Sequence, residues 1–236
     1  MAMNHAATTL DGDFSGRLVL TCEHAGTELP APWVWPEADT RLVGTHWASD
    51  IGAGAFTERL AIETRAPAVL SNFTRLLVDP NRPLDSDTLF RSEADGEPVW
   101  LNVSLSNEER QRRIDGFYRP YHDAADDLVR RSQAEIVLGI HTFTANYEGN
   151  ARSLEVGVLF DAEQELGEAL VTCLREAGFV ASPNEPYSGK DGLAYSPVRH
   201  AVEFGRRALE IEARQDLIVR DDFAGRLAGA LAGFFG

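Results

Sequence analysis

The sequence predicts an α/β protein with a largely parallel sheet. Three observations lead there. Short apolar runs of the kind that form buried strands alternate with stretches whose apolar residues recur at helical spacing. Several of those runs end in His, Asp or Glu, as in sheets that present polar groups beyond the carboxyl ends of their strands. A chain of 236 residues, 44% hydrophobic and 25% charged, is long enough to bury a sizeable core without staples. The expectation is one domain over residues 1–236, with 1–15 as a flexible tail.

Taken in order, Arg17–Cys22 is an apolar run and reads as a buried strand, ending in the turn Glu23-His24-Ala25-Gly26. Trp47–Glu63 carries Ile51, Ala55, Leu60 and Ile62 at helical spacing. Pro67–Ser71 is a second strand, its Pro at the tolerated first position. The apolar run Arg75–Asp79 follows and stops at Pro80. Residues 83–105 read as a loop-rich insertion whose Asp85, Asp87 and Arg91 either gate a site or, as the favoured reading, form a solvated face. Ser106-Asn-Glu-Glu109 is a capping box that opens a long helix to about Ser132, kinked or divided by Pro120. Glu135–Ile140 is the clearest buried strand, with His141 at its end. A strand over Ser153–Phe160 precedes a helix over Ala162–Ala177, closed by Gly178. Phe179–Ala181 is a short strand, Pro183–Ser196 a loop, Ala208–Glu212 a strand and Asp221–Phe235 a closing helix.

Composition excludes several functions. With 37 Asp and Glu against 22 Lys and Arg, the formal charge is −15, which disfavours nucleic acid and anionic membrane as partners. No apolar run reaches about 18 residues, the length that spans a bilayer. Met1–Phe14 lacks the apolar segment of a signal peptide, so a cytoplasmic location is expected. Cys22 and Cys173 are too few for a disulfide framework or a Cys-rich zinc site. There is no G-x-S-x-G elbow and no Walker A sequence.

Chemistry-bearing residues gather at the ends of the apolar runs. His24 follows one strand, His141 follows another and Glu212 ends a third. His46 and Asp50 stand four apart at a helix start, a spacing that shares one face. Histidines with a carboxylate are a usual ligand set for a divalent metal. Arg75…Asp79-Pro80-Asn81-Arg82 combines a planar guanidinium fork for carboxylates with an amide that can orient a carbonyl. Arg199-His200 and Glu212-Ala-Arg214-Gln-Asp216 form a further group, in which Glu212 suits a general base. His5 and His122 carry no such context, one in the tail and one on a helix face.

These segments together resemble the N-formylglutamate amidohydrolase family. The matching stretches are Thr21–Gly26, His46–Gly52, Arg75–Arg82, His141–Thr144, Arg199-His200 and Ile211–Leu217, in the family's order. The resemblance implies a three-layer α/β/α sandwich around a mostly parallel mixed sheet, like zinc-dependent exopeptidases, and hydrolysis of a formyl amide. Glu23 stands where better-characterised deformylases tend to have Pro, and His46 where they tend to have Asp. The expected substrate is therefore the broader class of small N-acyl amino acids. The implied site has one zinc ion on His24, His141 and Asp50, with Glu23 and His46 as competing third ligands. Glu212 serves as base, with Arg75 or His200 assisting at the oxyanion. Arg82, Asn81, Arg199 and Arg214 are the pool for substrate carboxylate contacts.

Overall fold

The computed structural model describes residues 5–147 and 149–236. Among these residues the main sheet has seven strands: β1 Ala7–Leu10, β2 Leu18–Cys22, β3 Ala68–Ser71, β4 Ile136–Phe143, β5 Val156–Leu159, β6 Ala181–Pro183 and β7 Arg207–Arg214. Their order is β1-β3-β2-β4-β7-β5-β6. The central strands β3, β2, β4 and β7 are parallel, whereas β1 and the β7–β5 contact are antiparallel. This is the mostly parallel mixed sheet expected.

Helices cover both faces. Helices α1 (Ala53–Thr64), α4 (Gln164–Glu176) and α7 (Asp221–Phe235) pack on the face formed by Leu20, Leu138 and Ile211. Helices α3 (Arg119–Arg131) and α5 (Tyr195–Glu203) pack on the opposite face, against Val19, Val137 and Ala208. In β7 the period-two alternation is strict. Leu209, Ile211 and Ala213 join the first core, while Glu210 and Glu212 point to the other face. That second face carries the chemistry.

Several expectations need correction. The expected tail contributes β1, whose Ala7–Leu10 pairs with Ala68–Ser71 and satisfies the edge of β3. Met1–Asn4, also read as tail, lie outside the described residues. The helix expected from Trp47 starts only at Ala53. Gly52 has φ +86°, and a Cβ there would meet the Ile218 side chain at 2.7 Å, so residues 47–52 form turns instead. The apolar run Arg75–Asp79 forms no strand; it is a turn over residues 75–77 followed by irregular, buried backbone. His141 lies within β4, not after it.

The long helix begins as read, with the Ser106 hydroxyl accepting from the Glu109 amide at 3.1 Å. It runs as α2 (Asn107–Arg113), a π-helical turn (Ile114–Tyr118) and then α3, so the wider turn stands just before Pro120. Helix α5 was not foreseen; it starts within the stretch read as loop and holds Arg199 and His200.

Candidate metal and substrate site

The candidate site lies at the carboxyl ends of β2, β4 and β7. In the parallel register Glu212 stands beside His141, so both side chains share a sheet face. His24 sits in the turn just after β2, and its carbonyl accepts the Asp50 amide at 3.0 Å. That bond draws Asp50 into the site without any helical spacing. Gly157 on β5 is the neighbour of Glu212, and a Cβ there would come within 1.9 Å of the Glu185 carbonyl. Only glycine lets the loop pass so near the base of the site.

Three ligand-type atoms converge here, from His24, Asp50 and His141, all within 4.8 Å of one another. The two Nδ1 atoms are 3.1 Å apart. His141 Nδ1 is 2.9 Å from one Asp50 oxygen, and His24 Nδ1 is 3.4 Å from the other. The far side of each ring meets a buried carboxylate. His24 Nε2 donates to Asp79 at 2.7 Å, and His141 Nε2 donates to Glu23 at 2.9 Å. With the ring protons fixed on Nε2, both Nδ1 atoms present lone pairs toward each other and toward a carboxylate. Such a convergence of acceptors repels itself unless a proton or a metal cation lies among them; without a metal, a second proton on His141, given to Asp50, fills that role. Ligands about 2.0–2.1 Å from a tetrahedral zinc lie roughly 3.3 Å from one another; the two Nδ1 atoms have that spacing, and each faces a different oxygen of Asp50. Carboxylate–histidine–metal arrays are the usual outer arrangement of such ions.

Electrostatics agree with this division of roles. Burial alone would raise Glu23, but its bonds to His141 outweigh that and hold the carboxyl at about 2. Burial likewise opposes ionisation of Asp79, yet Arg75 and His24 hold it well below the usual carboxylate range. Burial works against charge on His141, but Glu210, Asp50 and Glu23 hold its pKa well above the ordinary value. Burial pushes Glu210 up to about 7 against the pull of His141. It pushes Glu212 well above the ordinary range in the same way. Both acids leave one buried oxygen without a hydrogen-bond partner among the described residues, that of Glu210 lying 3.5 Å from His141 Nε2.

The cavity around these groups has a volume of about 390 Å3. It is lined by His24, Asp50, His141, Glu212, Arg75, Asn81 and Arg82 from the expected set. Arg75 holds Asp79 at 2.7 Å and Asp50 at 3.4 Å, so it fixes the acids around the cluster. The Asn81 amide is committed to the Leu193 carbonyl and the Ser196 amide, tying down the loop before α5. Of the competing ligands, Glu23 is turned to His141 Nε2 and to the Tyr121 hydroxyl, outside the three-atom cluster. His46 lines the cavity, stacked against Trp47, but is not one of the three.

Three expected residues stand elsewhere. His200 is buried between α3 and α5, with Nδ1 on Asp126 at 2.6 Å and Nε2 on His122 at 3.0 Å. Arg199 pairs with the same Asp126 at 3.1 Å. Arg214 binds Asp216 and the Arg152 carbonyl, each within 3.0 Å. None of these lines the cavity. Arg214 adjoins the Glu212 motif that does reach it, while the α5 helix, unseen in the sequence, turns His200 inward, away from the cavity. His122, placed on a helix face from sequence, is buried in that same cluster.

The cavity also holds residues that sequence reading missed. Arg91, expected on a solvated face, lies over the Trp47 ring at 4.9 Å. Asp85 and Asp87 of the same face are exposed as expected. Arg152 lies over Phe143, Tyr147 and Tyr187 at 5.0–5.6 Å. Glu210, two residues before Glu212 in an alternating strand, was the one legible signal.

Comparison with known proteins places these features. A family model described as N-formylglutamate amidohydrolase matches residues 16–219. No curated protein matches the chain significantly. The crystal structure of gene product Atu2144 from Agrobacterium tumefaciens is similar, with a TM-score of 0.90, 28% identity and coverage of 98% of this chain and 93% of that one. An N-formylglutamate amidohydrolase from Ralstonia eutropha JMP134 has a TM-score of 0.71 at 23% identity, covering 98% of this chain and 96% of its own, and shares the fold.

Proposed function

Because the chain belongs to the N-formylglutamate amidohydrolase family, we propose that it hydrolyses the amide bond of a small N-formyl or N-acyl amino acid with the help of one zinc ion. The observation that carries this reading is the convergence of His24 Nδ1, His141 Nδ1 and the Asp50 carboxylate, each histidine backed by its own carboxylate.

His24, His141 and Asp50 would hold the ion. When bound, such an ion polarises a carbonyl and lowers the pKa of water to about 7. Glu212 faces the cluster from the neighbouring strand. It accepts the proton of the attacking water and returns it to the departing amine. Asp79 and Glu23 keep the two rings in the Nε2–H form, so the inward nitrogens stay free of protons. Arg75 braces Asp50 and Asp79 while facing the cavity, which sets positive charge beside the developing oxyanion. Arg82 lines the same cavity and offers a guanidinium to the substrate carboxylate.

The test combines metal analysis with release of the free amino acid from N-formylglutamate and other N-acylglutamates. Purified protein should contain about one zinc per chain, lose turnover to a chelator and regain it on zinc addition. His141→Ala should lose both metal and turnover. Full turnover with full metal content in that variant would overturn the reading.

A further inference from the structure

We infer that Tyr118 is a positioning residue for the substrate carboxylate, acting through Arg82, and that the π-helical turn before α3 is the device that brings it there. This rests on the reading of Arg82 as the guanidinium that meets that carboxylate. The Tyr118 hydroxyl lies 2.9 Å from the Arg82 carbonyl and 3.2 Å from the Tyr195 hydroxyl. A carbonyl can only accept, so Tyr118 donates to Arg82 and Tyr195 supplies the proton of the second bond. Among the described residues, no other hydrogen bond reaches the Arg82 carbonyl. Pro83 follows and brings no N–H to hold the peptide unit that the two share. Burial, and then Tyr195, hold the Tyr118 phenol well above its ordinary pKa, so it remains a donor.

The wide turn decides where these side chains are aimed. The Ile114 carbonyl accepts from the Arg119 amide, five residues on, where an α-helix closes at four. Residues five apart stand about 140° from each other around an α-helix. Bonding from i to i+5 brings them toward one line instead. Arg113 and Tyr118 are five apart, both are buried, and both reach the segment that follows β3. Arg113 donates to the Leu77 carbonyl at 3.2 Å, and Tyr118 donates to the Arg82 carbonyl. Asp79 and Asn81 lie between these two points. One turn further along, Tyr121 donates to Glu23 at 3.0 Å. A single helical face therefore holds both ends of the segment and the outer partner of His141.

The Arg82 guanidinium is mounted on two peptide units. Its Nη1 donates to the Asn81 carbonyl at 2.8 Å, and its Nε donates to the Thr88 hydroxyl at 3.2 Å. The N–H groups that remain lie on Nη1 and Nη2, an edge that can take a carboxylate end-on. The aim of that edge depends on the peptide units of Asn81 and Arg82. The first is fixed through the Asn81 side chain, which donates to the Leu193 carbonyl at 3.2 Å and accepts from the Ser196 amide at 2.8 Å. The second is fixed by Tyr118. Removing the phenol hydroxyl leaves His24, Asp50, His141 and Glu212 in place and frees one of the two mounts. The loss falls on ground-state and transition-state binding alike, which raises KM and spares kcat.

The test compares Tyr118→Phe with the natural chain, both zinc-loaded, using N-formylglutamate as substrate and its product glutamate as a binding probe. Phe keeps the ring that packs 4.4 Å from His122 and removes the hydroxyl alone. KM should rise about three- to tenfold, the worth of one hydrogen bond, while kcat stays within about twofold. The Kd of glutamate, measured by calorimetry, should rise by the same factor. KM does not depend on the folded fraction, so partial loss of fold cannot mimic the result. In an Arg82→Ala background Tyr118→Phe should add less than about twofold to either constant, because the two act through one contact. Adding Tyr195→Phe removes the hydroxyl that Tyr118→Phe strands, and the raised KM should persist. Unchanged KM and Kd, a loss confined to kcat, a full effect in the Arg82→Ala background, or recovery in the Tyr195 pair would each overturn the inference. Arg82→Ala with natural KM and Kd defeats the carboxylate assignment and takes this inference with it. If N-formylglutamate is not cleaved, the hydrolase reading fails by itself. The glutamate Kd then decides: a rise in Tyr118→Phe that vanishes in the Arg82→Ala background supports the inference, and no rise overturns it.

Discussion

Replacing Glu23 by Gln isolates the outer partner of a candidate ligand while leaving the three inward atoms in place. One Glu23 oxygen accepts from His141 Nε2 at 2.9 Å and the other from the Tyr121 hydroxyl at 3.0 Å. Gln has one oxygen and one amide nitrogen, so it can satisfy only one of these donors. If the nitrogen faces His141, the ring must turn its lone pair to Nε2 and carry its proton on Nδ1, where the metal would bind. If the nitrogen faces Tyr121, the phenolic proton loses its buried acceptor. Either way the ring loses an ionised partner, and its basicity falls. Outer partners of this kind are typically worth 10–100-fold in metal affinity, about 1.4–2.7 kcal/mol. Competition against a chromophoric chelator measures the shift, and melting of the metal-free protein checks that the fold survives. Tyr121→Phe is the comparator, since it removes the other bond alone and should change affinity by less than about threefold. Glu23→Gln protein that is folded and binds zinc within twofold of the natural chain would refute the assigned ring tautomer.

Further outcomes follow from the same geometry. Glu212→Gln should keep its metal and lose roughly 10²–10⁴ in turnover, measured as amino-acid release; a loss below tenfold removes it as the base. Gly157→Ala would press a Cβ against the Glu185 backbone carbonyl at 1.9 Å and should destabilise by about 1–3 kcal/mol in a urea melt. Burial, with the charges of His200 and Arg199, lowers His122 from 6.5 to about 3. Between those values the unfolded chain binds more protons, so stability falls as pH drops through that window, by a few kcal/mol at most at pH 4.5. Urea midpoints at pH 7 and 4.5 should therefore diverge more in the natural chain than in His122→Gln.

What the sequence shows and what it hides follow a physical division. Buried strands were legible because one face of each must be apolar: Leu18–Cys22 and Ile136–Phe143 differ from the reading by one to three residues. The cluster of His24, Asp50 and His141 was legible because polar residues next to such runs need a reason. Asp50 was nevertheless assigned by the wrong route. Helical spacing with His46 suggested it, whereas a left-handed Gly52 and the bond to the His24 carbonyl place it. Edge strand β1 was hidden because it is four residues long and half exposed, with too little pattern to separate it from a tail. Arg91 and Arg152 were hidden because stacking on Trp47 and Tyr187 is a long-range contact with no local spacing. The same holds for Arg199 and His200, whose partner Asp126 lies more than seventy residues away.

The charge of the site explains why its acids titrate as they do. Glu23, Asp50, Asp79, Glu210 and Glu212 are all buried, and Arg75 is the permanent cation that touches two of them. One guanidinium cannot balance so many carboxylates in a medium of low dielectric. The metal-free chain meets the deficit with protons, held on His141 and pressed onto Glu210 and Glu212. A dication among His24, His141 and Asp50 would supply the same charge without occupying the ring nitrogens with hydrogen, and would free Glu212 for the proposed role of base. Arg82, Arg91 and Arg152 pair with none of these acids within 4.0 Å among the described residues and line the cavity instead, Arg82 adding only at a distance to the pull on Asp79. The overall charge of −15 and the cationic cavity are thus compatible. The exterior repels extended polyanions, while a small dianion that enters the cavity meets three forks with no other carboxylate on them.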